Sequence, residues 1–126
     1  MHTGVESDVH TANIVTLEAV QAADRTGDTS IAAVAAQLGV DRSGASRMIT
    51  AAADDGLVSK RTADGDHRRT EVDITDAGHL LLERAHAWQA DAFQAMTASW
   101  AADDVEQFAT HLVRLADQIL HPKDQP

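Results

Sequence analysis

Two short stretches of the chain carry side chains suited to gripping a polyanion. The first is Arg42-Ser43-Gly44-Ala45-Ser46-Arg47, where basic and hydroxyl groups alternate with small residues. An arginine can take guanine O6 and N7 in bidentate fashion, and a serine hydroxyl can bond to a base edge or a phosphate. Glycine and alanine let a helix bearing such groups approach closely. The second stretch is His67-Arg68-Arg69, directly after the turn signal Asp64-Gly65-Asp66. Arginines at a hairpin tip reach phosphates or a neighbouring minor groove, where the negative potential attracts a guanidinium. Lys60 and Arg61 lie on the strand leading to that tip. Lys60 has no neighbour in sequence to fix its direction, which suits it to a phosphate and not to a base.

The elements that must position these groups follow from periodicity. Ile14, Leu17 and Val20 form a helical stripe over about residues 10–24, behind a polar stretch expected to fray. Thr29 or Ser30 caps a second helix with Ile31, Val34, Ala35 and Leu38 on its apolar face, and Gly39 stops it. Val40 is expected to be a buried turn residue. Asp41 caps a third helix to about Asp55, with Ala45, Met48, Ile49 and Ala52 inward. Leu57–Thr62 reads as a strand, and Arg69–Ile74 alternates, with Thr70, Val72 and Ile74 on one side. Thr75 caps a long helix from Asp76 to about Trp100 with the stripe Leu81, Ala85, Trp88, Ala92 and Met96. A last helix from Asp103 or Asp104 carries Val105, Phe108, Leu112 and Ile119 and ends before Pro122. Two short helices around a glycine turn, followed by a hairpin, make a winged helix-turn-helix. The fold class is mainly α, with a two-stranded β-wing and a C-terminal helical hairpin. One domain is expected over residues 1–126, with the core at about 10–75 and the terminal helices at about 76–121.

Bulk composition narrows the function. The 126 residues contain no cysteine, which excludes disulfides, thiolate metal sites and cysteine redox chemistry. No apolar run reaches the roughly 20 residues that span a bilayer, and no secretory leader is visible, so the cytoplasm is expected. Net charge is −10, yet residues 28–75 hold six of the ten basic residues and carry only −2. The chain is an acidic body with one locally basic region. Seven histidines invite a metal reading. His79 and His86, however, are seven apart on one helix, about 10.5 Å along its axis, so they are read as solvated or packing residues. Neither a metal, a cofactor nor a catalytic set is expected, and the protein is read as not an enzyme.

Five pieces in order resemble the MarR (multiple antibiotic resistance regulator) family. They are Ile31–Leu38 with Gly39-Val40, the stretch Arg42–Arg47, Gly56-Leu57-Val58 leading into the wing, Asp64–Arg69 at its tip, and Ile74-Thr75-Asp76-Ala77-Gly78 opening the long helix. The resemblance covers about residues 10–120. It implies that Ser43, Ser46 and Arg47 face DNA from the recognition helix, that Arg68 enters the minor groove, and that Asp66 holds Arg68 by a salt bridge. Three departures stand out. The family's first long helix has no counterpart, so a dimer is expected to rest on the last two helices. Asp54-Asp55 ends the recognition helix where the family is commonly basic. Gly44 lies inside that helix at a cost of about 1 kcal/mol, which close approach to DNA would justify.

The reading that results is a sequence-specific regulator of transcription, a repressor, binding a pseudo-palindromic operator in double-stranded DNA as a homodimer. A small-molecule effector is compatible with it, in a space that Trp88 and His10 could line, although Trp88 is read first as core. The competing reading is a winged-helix module that binds protein instead of DNA, favoured by the acidic charge and by Asp54-Asp55.

Overall fold

The computed structural model describes residues 4–63 and 65–120. Helix α1 (Gly4–Arg25) is followed by α2 (Ile31–Leu38), α3 (Arg42–Asp54), strands β1 (Val58–Ala63) and β2 (Asp66–Ile74), then α4 (Asp76–Met96) and α5 (Ala102–Leu120). The chain forms two compact units, one ending at His86 and the other beginning at Ala87, so the boundary falls within α4.

In the first unit the helices are placed by local chemistry before they are packed. Ser30, in extended backbone, accepts the Ala33 N–H and caps α2, and Gly39 closes it in the left-handed region at φ 70°. Asp41 caps α3 by accepting the Gly44 N–H at 2.6 Å. Thr75 caps α4 by accepting the Gly78 N–H at 3.1 Å, and its hydroxyl donates to Gly56 O at 2.7 Å. The apolar stripes then meet. Leu17 and Val20 of α1, Val34 of α2, Ala45, Ile49 and Ala52 of α3, Val72 of β2 and Leu82 of α4 form one buried core. It contains no aromatic residue, so alanines bring the helices close and Leu, Ile and Val fill the remaining volume. Gly78 shows how tight this is: a Cβ there would lie 2.2 Å from Leu57 O and 2.7 Å from Ile74 Cγ2.

β1 and β2 pair antiparallel from Val58↔Ile74 to Thr62↔Thr70, with an irregularity between Thr62 and Ala63. Val72 is buried while Arg69 on the opposite side is exposed, as period-two alternation requires. Val72 N also donates to Thr29 O at 3.0 Å, which ties the hairpin to the segment before α2.

The second unit is built differently. Phe93 and Phe108 stack with ring centroids 6.0 Å apart, and Trp100 meets Phe108 edge-on at 5.7 Å. On α5, Leu112, Val113, Leu115 and Ile119 are between 51% and 70% exposed.

Several sequence expectations need correction. α1 starts at Gly4, not near His10, and α4 ends at Met96, short of Trp100. Val40 is 42% exposed, because the helix cap closes over backbone groups and leaves its side chain outside. Trp88 and Met96, expected on the inward stripe of α4, are 72% and 73% exposed. The stripe that does bury is Gly78, Leu82 and Ala85, which stays within the first unit.

Candidate nucleic-acid interface

Helix α3 splits cleanly by face. Ala45, Ile49 and Ala52 are fully buried, which turns Ser43, Arg47, Thr50 and Asp54 outward as one stripe at i, i+4, i+7 and i+11. Arg42 is exposed at the first turn, and Ser46 is half-buried at the edge of the stripe. Neither Arg42 nor Arg47 has a salt-bridge partner among the described residues. Both guanidiniums are therefore available to an external anion.

Gly44 has a structural use at the cap of its own helix. A Cβ on residue 44 would lie 2.9 Å from Asp41 Oδ1, the atom that accepts the Gly44 N–H. The small residue makes room for the capping carboxylate. The acidic end of α3 also has an internal use. Asp55 sits at the C-cap position, and its Oδ2 accepts a 2.8 Å hydrogen bond from Nδ2 of Asn13, a residue only 5% exposed on α1. The bond fixes the far end of α3 against α1 and spends Asp55 on positioning.

The basic residues of the hairpin fall into two groups. Lys60, expected to stand alone, donates from Nζ to Thr50 Oγ1 at 2.8 Å. Its ammonium therefore joins the outward stripe of α3. Thr50 was absent from the sequence-derived site; its spacing three residues after Arg47 on the exposed face was the available signal. Arg61 turns instead to β2, with Nε 2.6 Å from Asp73 Oδ2 and a terminal nitrogen 2.6 Å from Glu71 Oε2. Asp73 first and Glu71 second raise the pKa of Arg61 above its ordinary value. Arg69 reaches Asp28 at 2.6 Å. The Asp28 carboxyl is held below its usual range mainly by the Ser30 backbone N–H, then by the Ser30 side chain, with Arg69 adding to the effect. Arg61 and Arg69 are thus occupied within the hairpin and its base. Asp66, His67 and Arg68 belong to β2, but their side chains, and with them the Asp66–Arg68 pair, lie outside the described residues.

His86 Nε2 is 3.1 Å from Glu18 Oε1, and among the described residues no group of three or more His, Asp or Glu could hold an ion. The His10 side chain, read as one wall of an effector space, lies outside the described residues. No described helix is long and apolar enough to cross a membrane.

A capped two-helix turn whose second helix presents a polar, basic stripe, followed by a hairpin that lends a lysine to that stripe, defines a winged helix-turn-helix protein. The MarR family profile matches residues 7–69, half of the chain. The chain belongs to the MarR family. Among solved structures it is similar to the PcaV transcriptional regulator from Streptomyces coelicolor in complex with its natural ligand. The two are 27% identical with a TM-score of 0.60, over 83% of this chain and 72% of that one. It is also similar to wild-type MarR from E. coli in its apo form, at 21% identity and TM-score 0.64, over 79% and 75% of the two chains. A third is MepR from S. aureus in complex with DNA, at 18% identity and TM-score 0.62, over 85% and 77%. The last two likenesses speak to the fold alone. No curated protein matches the chain.

Proposed function

We propose that this protein is a transcriptional regulator, a repressor, that binds a pseudo-palindromic operator in double-stranded DNA as a cytoplasmic homodimer. The observation that carries this reading is the outward stripe of α3. It holds Ser43, Arg47 and Thr50 on one line, leaves Arg42 and Arg47 unpaired among the described residues, and adds Lys60 through Thr50. A helix so equipped suits the major groove, and a two-fold dimer must set two of them about 34 Å apart. The apolar surface of α5 supports the dimer, since a second copy would cover it. A dimer seated on an operator represses by excluding other proteins. The ligand in the PcaV structure supports an effector, which would act by binding one recognition-helix spacing better than the other.

The roles of the basic residues separate by experiment. After selection of bound genomic fragments, fluorescence anisotropy on specific and scrambled duplexes is measured at several salt concentrations. Arg47→Ala is expected to cost about 1–3 kcal/mol on the preferred site and to relax base choice there. Lys60→Ala should weaken binding evenly and lower the salt slope by about one unit. Arg68→Ala should weaken sites with narrow, A·T-rich flanks most, and Asp66→Ala should do so less. Equal, sequence-independent losses for Arg47→Ala and Lys60→Ala would overturn the assignment. The net charge of −10 favours a second reading, a protein-interaction module, which wild-type failure to bind any duplex at low salt would select.

A further inference from the structure

Helical threonines in this chain differ in where their hydroxyls turn. Thr16 on α1, and Thr97 just after α4, donate to the carbonyl four residues earlier, to Ala12 O at 3.0 Å and Phe93 O at 2.8 Å. That is a usual outlet for a threonine in a helix. Thr50 of α3 does otherwise. Its Oγ1 accepts from Lys60 Nζ at 2.8 Å, and its own O–H donates to no described residue. Thr50 and Lys60 are both exposed.

The bond leaves a pair that still has protons to give. Lys60 spends one ammonium proton on Thr50 and keeps two, and the Thr50 hydroxyl keeps its own. A lysine carries its charge on a flexible four-carbon stem, and the Thr50 oxygen gives this one a fixed station. Charge along the stripe then marks where an anion sits. Arg47, three residues before Thr50, and Asp54, four residues after it, are its neighbours on the helix surface. Neither has an ion-pair partner among the described residues. The seat at Thr50 is therefore cationic on the side of Arg47 and of the hairpin. On its far side a carboxylate repels an anion that would slide further along α3.

We propose that Thr50 is a positioning residue: together with Lys60 it grips one backbone phosphate in each half of the operator, and so sets how far α3 lies along the groove. The proposal rests on the nucleic-acid reading and deepens it. Phosphate contacts fix register and orientation, whereas base edges carry sequence. A phosphate suits the seat because its free oxygens accept from the ammonium and the hydroxyl together, in charge-assisted bonds. Lys60 comes from the hairpin beside α3 and not from the helix, so the pair meets the rim of the groove, where phosphates lie, and not its floor. Ser43 and Arg47, nearer the helix N-terminus, keep the base edges. Thr50 also acts through Lys60, since an ammonium held in place before DNA arrives loses less freedom on binding.

The test uses the full chain and the duplex bound most tightly after selection of genomic fragments. Uncharged methylphosphonates replace the backbone phosphates one position at a time, symmetrically in the two halves, and affinity is read by fluorescence anisotropy. Among the positions that weaken wild type, one and the same position should lose its effect by about threefold or more in both Thr50→Val and Lys60→Ala, because groups sharing a partner are not additive. On the unmodified duplex Thr50→Val should bind about two- to tenfold more weakly. Its salt slope should match wild type, since Lys60 keeps its charge, and Thr50→Ser should restore affinity. An effect of Thr50 on helix stability alone would leave the phosphate profile unchanged. Such an unchanged profile in Thr50→Val, different positions in the two variants, or no rescue by Thr50→Ser overturns the shared phosphate and leaves the nucleic-acid reading standing. Failure of wild type to bind any duplex at low salt overturns both.

Discussion

The two units of the chain solve the burial problem in opposite ways. The unit ending at His86 closes its own core: Leu17, Val34, Ile49, Val72 and Leu82 are 2% exposed or less, and not one aromatic residue is involved. The unit beginning at Ala87 holds all four aromatic residues of the chain, Trp88, Phe93, Trp100 and Phe108, and buries no hydrophobic side chain among its described residues. Small residues suit a closed core because they let backbones approach, as Gly78 and the alanines of α3 do. Large apolar residues on an amphipathic helix such as α5 are stable in water only once another surface covers them. One unit is complete as a single chain, and the other is shaped for company.

The sharpest way to break the first half of that comparison is Gly78→Ala. The new methyl would collide with the carbonyl of Leu57, a backbone atom that cannot rotate aside, so a loss of about 3 kcal/mol or more is expected by urea denaturation. A near-neutral result would mean the core has slack that the packing denies. The second half is tested by Leu112→Asp, on the exposed face of α5. If a second copy covers this face, dimer affinity should fall by roughly 2 kcal/mol, about thirtyfold, in analytical ultracentrifugation. The melting temperature should then lose its dependence on protein concentration.

A smaller effect sharpens how the first unit aims α3. Asn13→Ala removes the bond to Asp55 and should cost about 1 kcal/mol of stability. A double-mutant cycle with Asp55→Ala should return a coupling of about 0.5 kcal/mol or more, and strict additivity would count against the bond. The smallest effect is electrostatic. The folded-state pKa of Asp28 lies below the ordinary 3.8, so its contribution is present above that value and is lost as pH falls through the lower, folded one. Asp28→Asn should therefore flatten the stability profile below about pH 3.8 and leave its slope at neutral pH unchanged.

Which parts of this were legible in the sequence follows from the range of the interactions. Ser30, Asp41 and Thr75 act on N–H groups three residues ahead, so each cap could be read from neighbours alone. The inward faces of α2, α3 and β2 were likewise set by period. What could not be read were bonds across sequence: Asn13 to Asp55 over 42 positions, Arg69 to Asp28 over 41, Lys60 to Thr50 over 10. Those bonds decide which charges face outward, so the candidate site was legible as a stretch but not as a set. Trp88 and Met96 were misread for a related reason. A helical stripe announces that a face is apolar, but not whether the chain itself supplies the cover.

The hydroxyl of Thr75 has a consequence for how the wing can change. It holds Gly56 O and Gly78 N together, and Thr75 N bonds to Leu57 O at 3.0 Å beside the pair Val58↔Ile74. The two ends of the hairpin are thereby stapled at its root, independently of what happens at its far end. For a segment with pinned ends, doubling its length adds only about 0.6 kcal/mol of closure entropy. Residues can thus be gained or lost at the tip over evolutionary time without altering the spacing between α3 and the first turn of α4. The wing is free to diversify in length while the frame that carries it stays fixed.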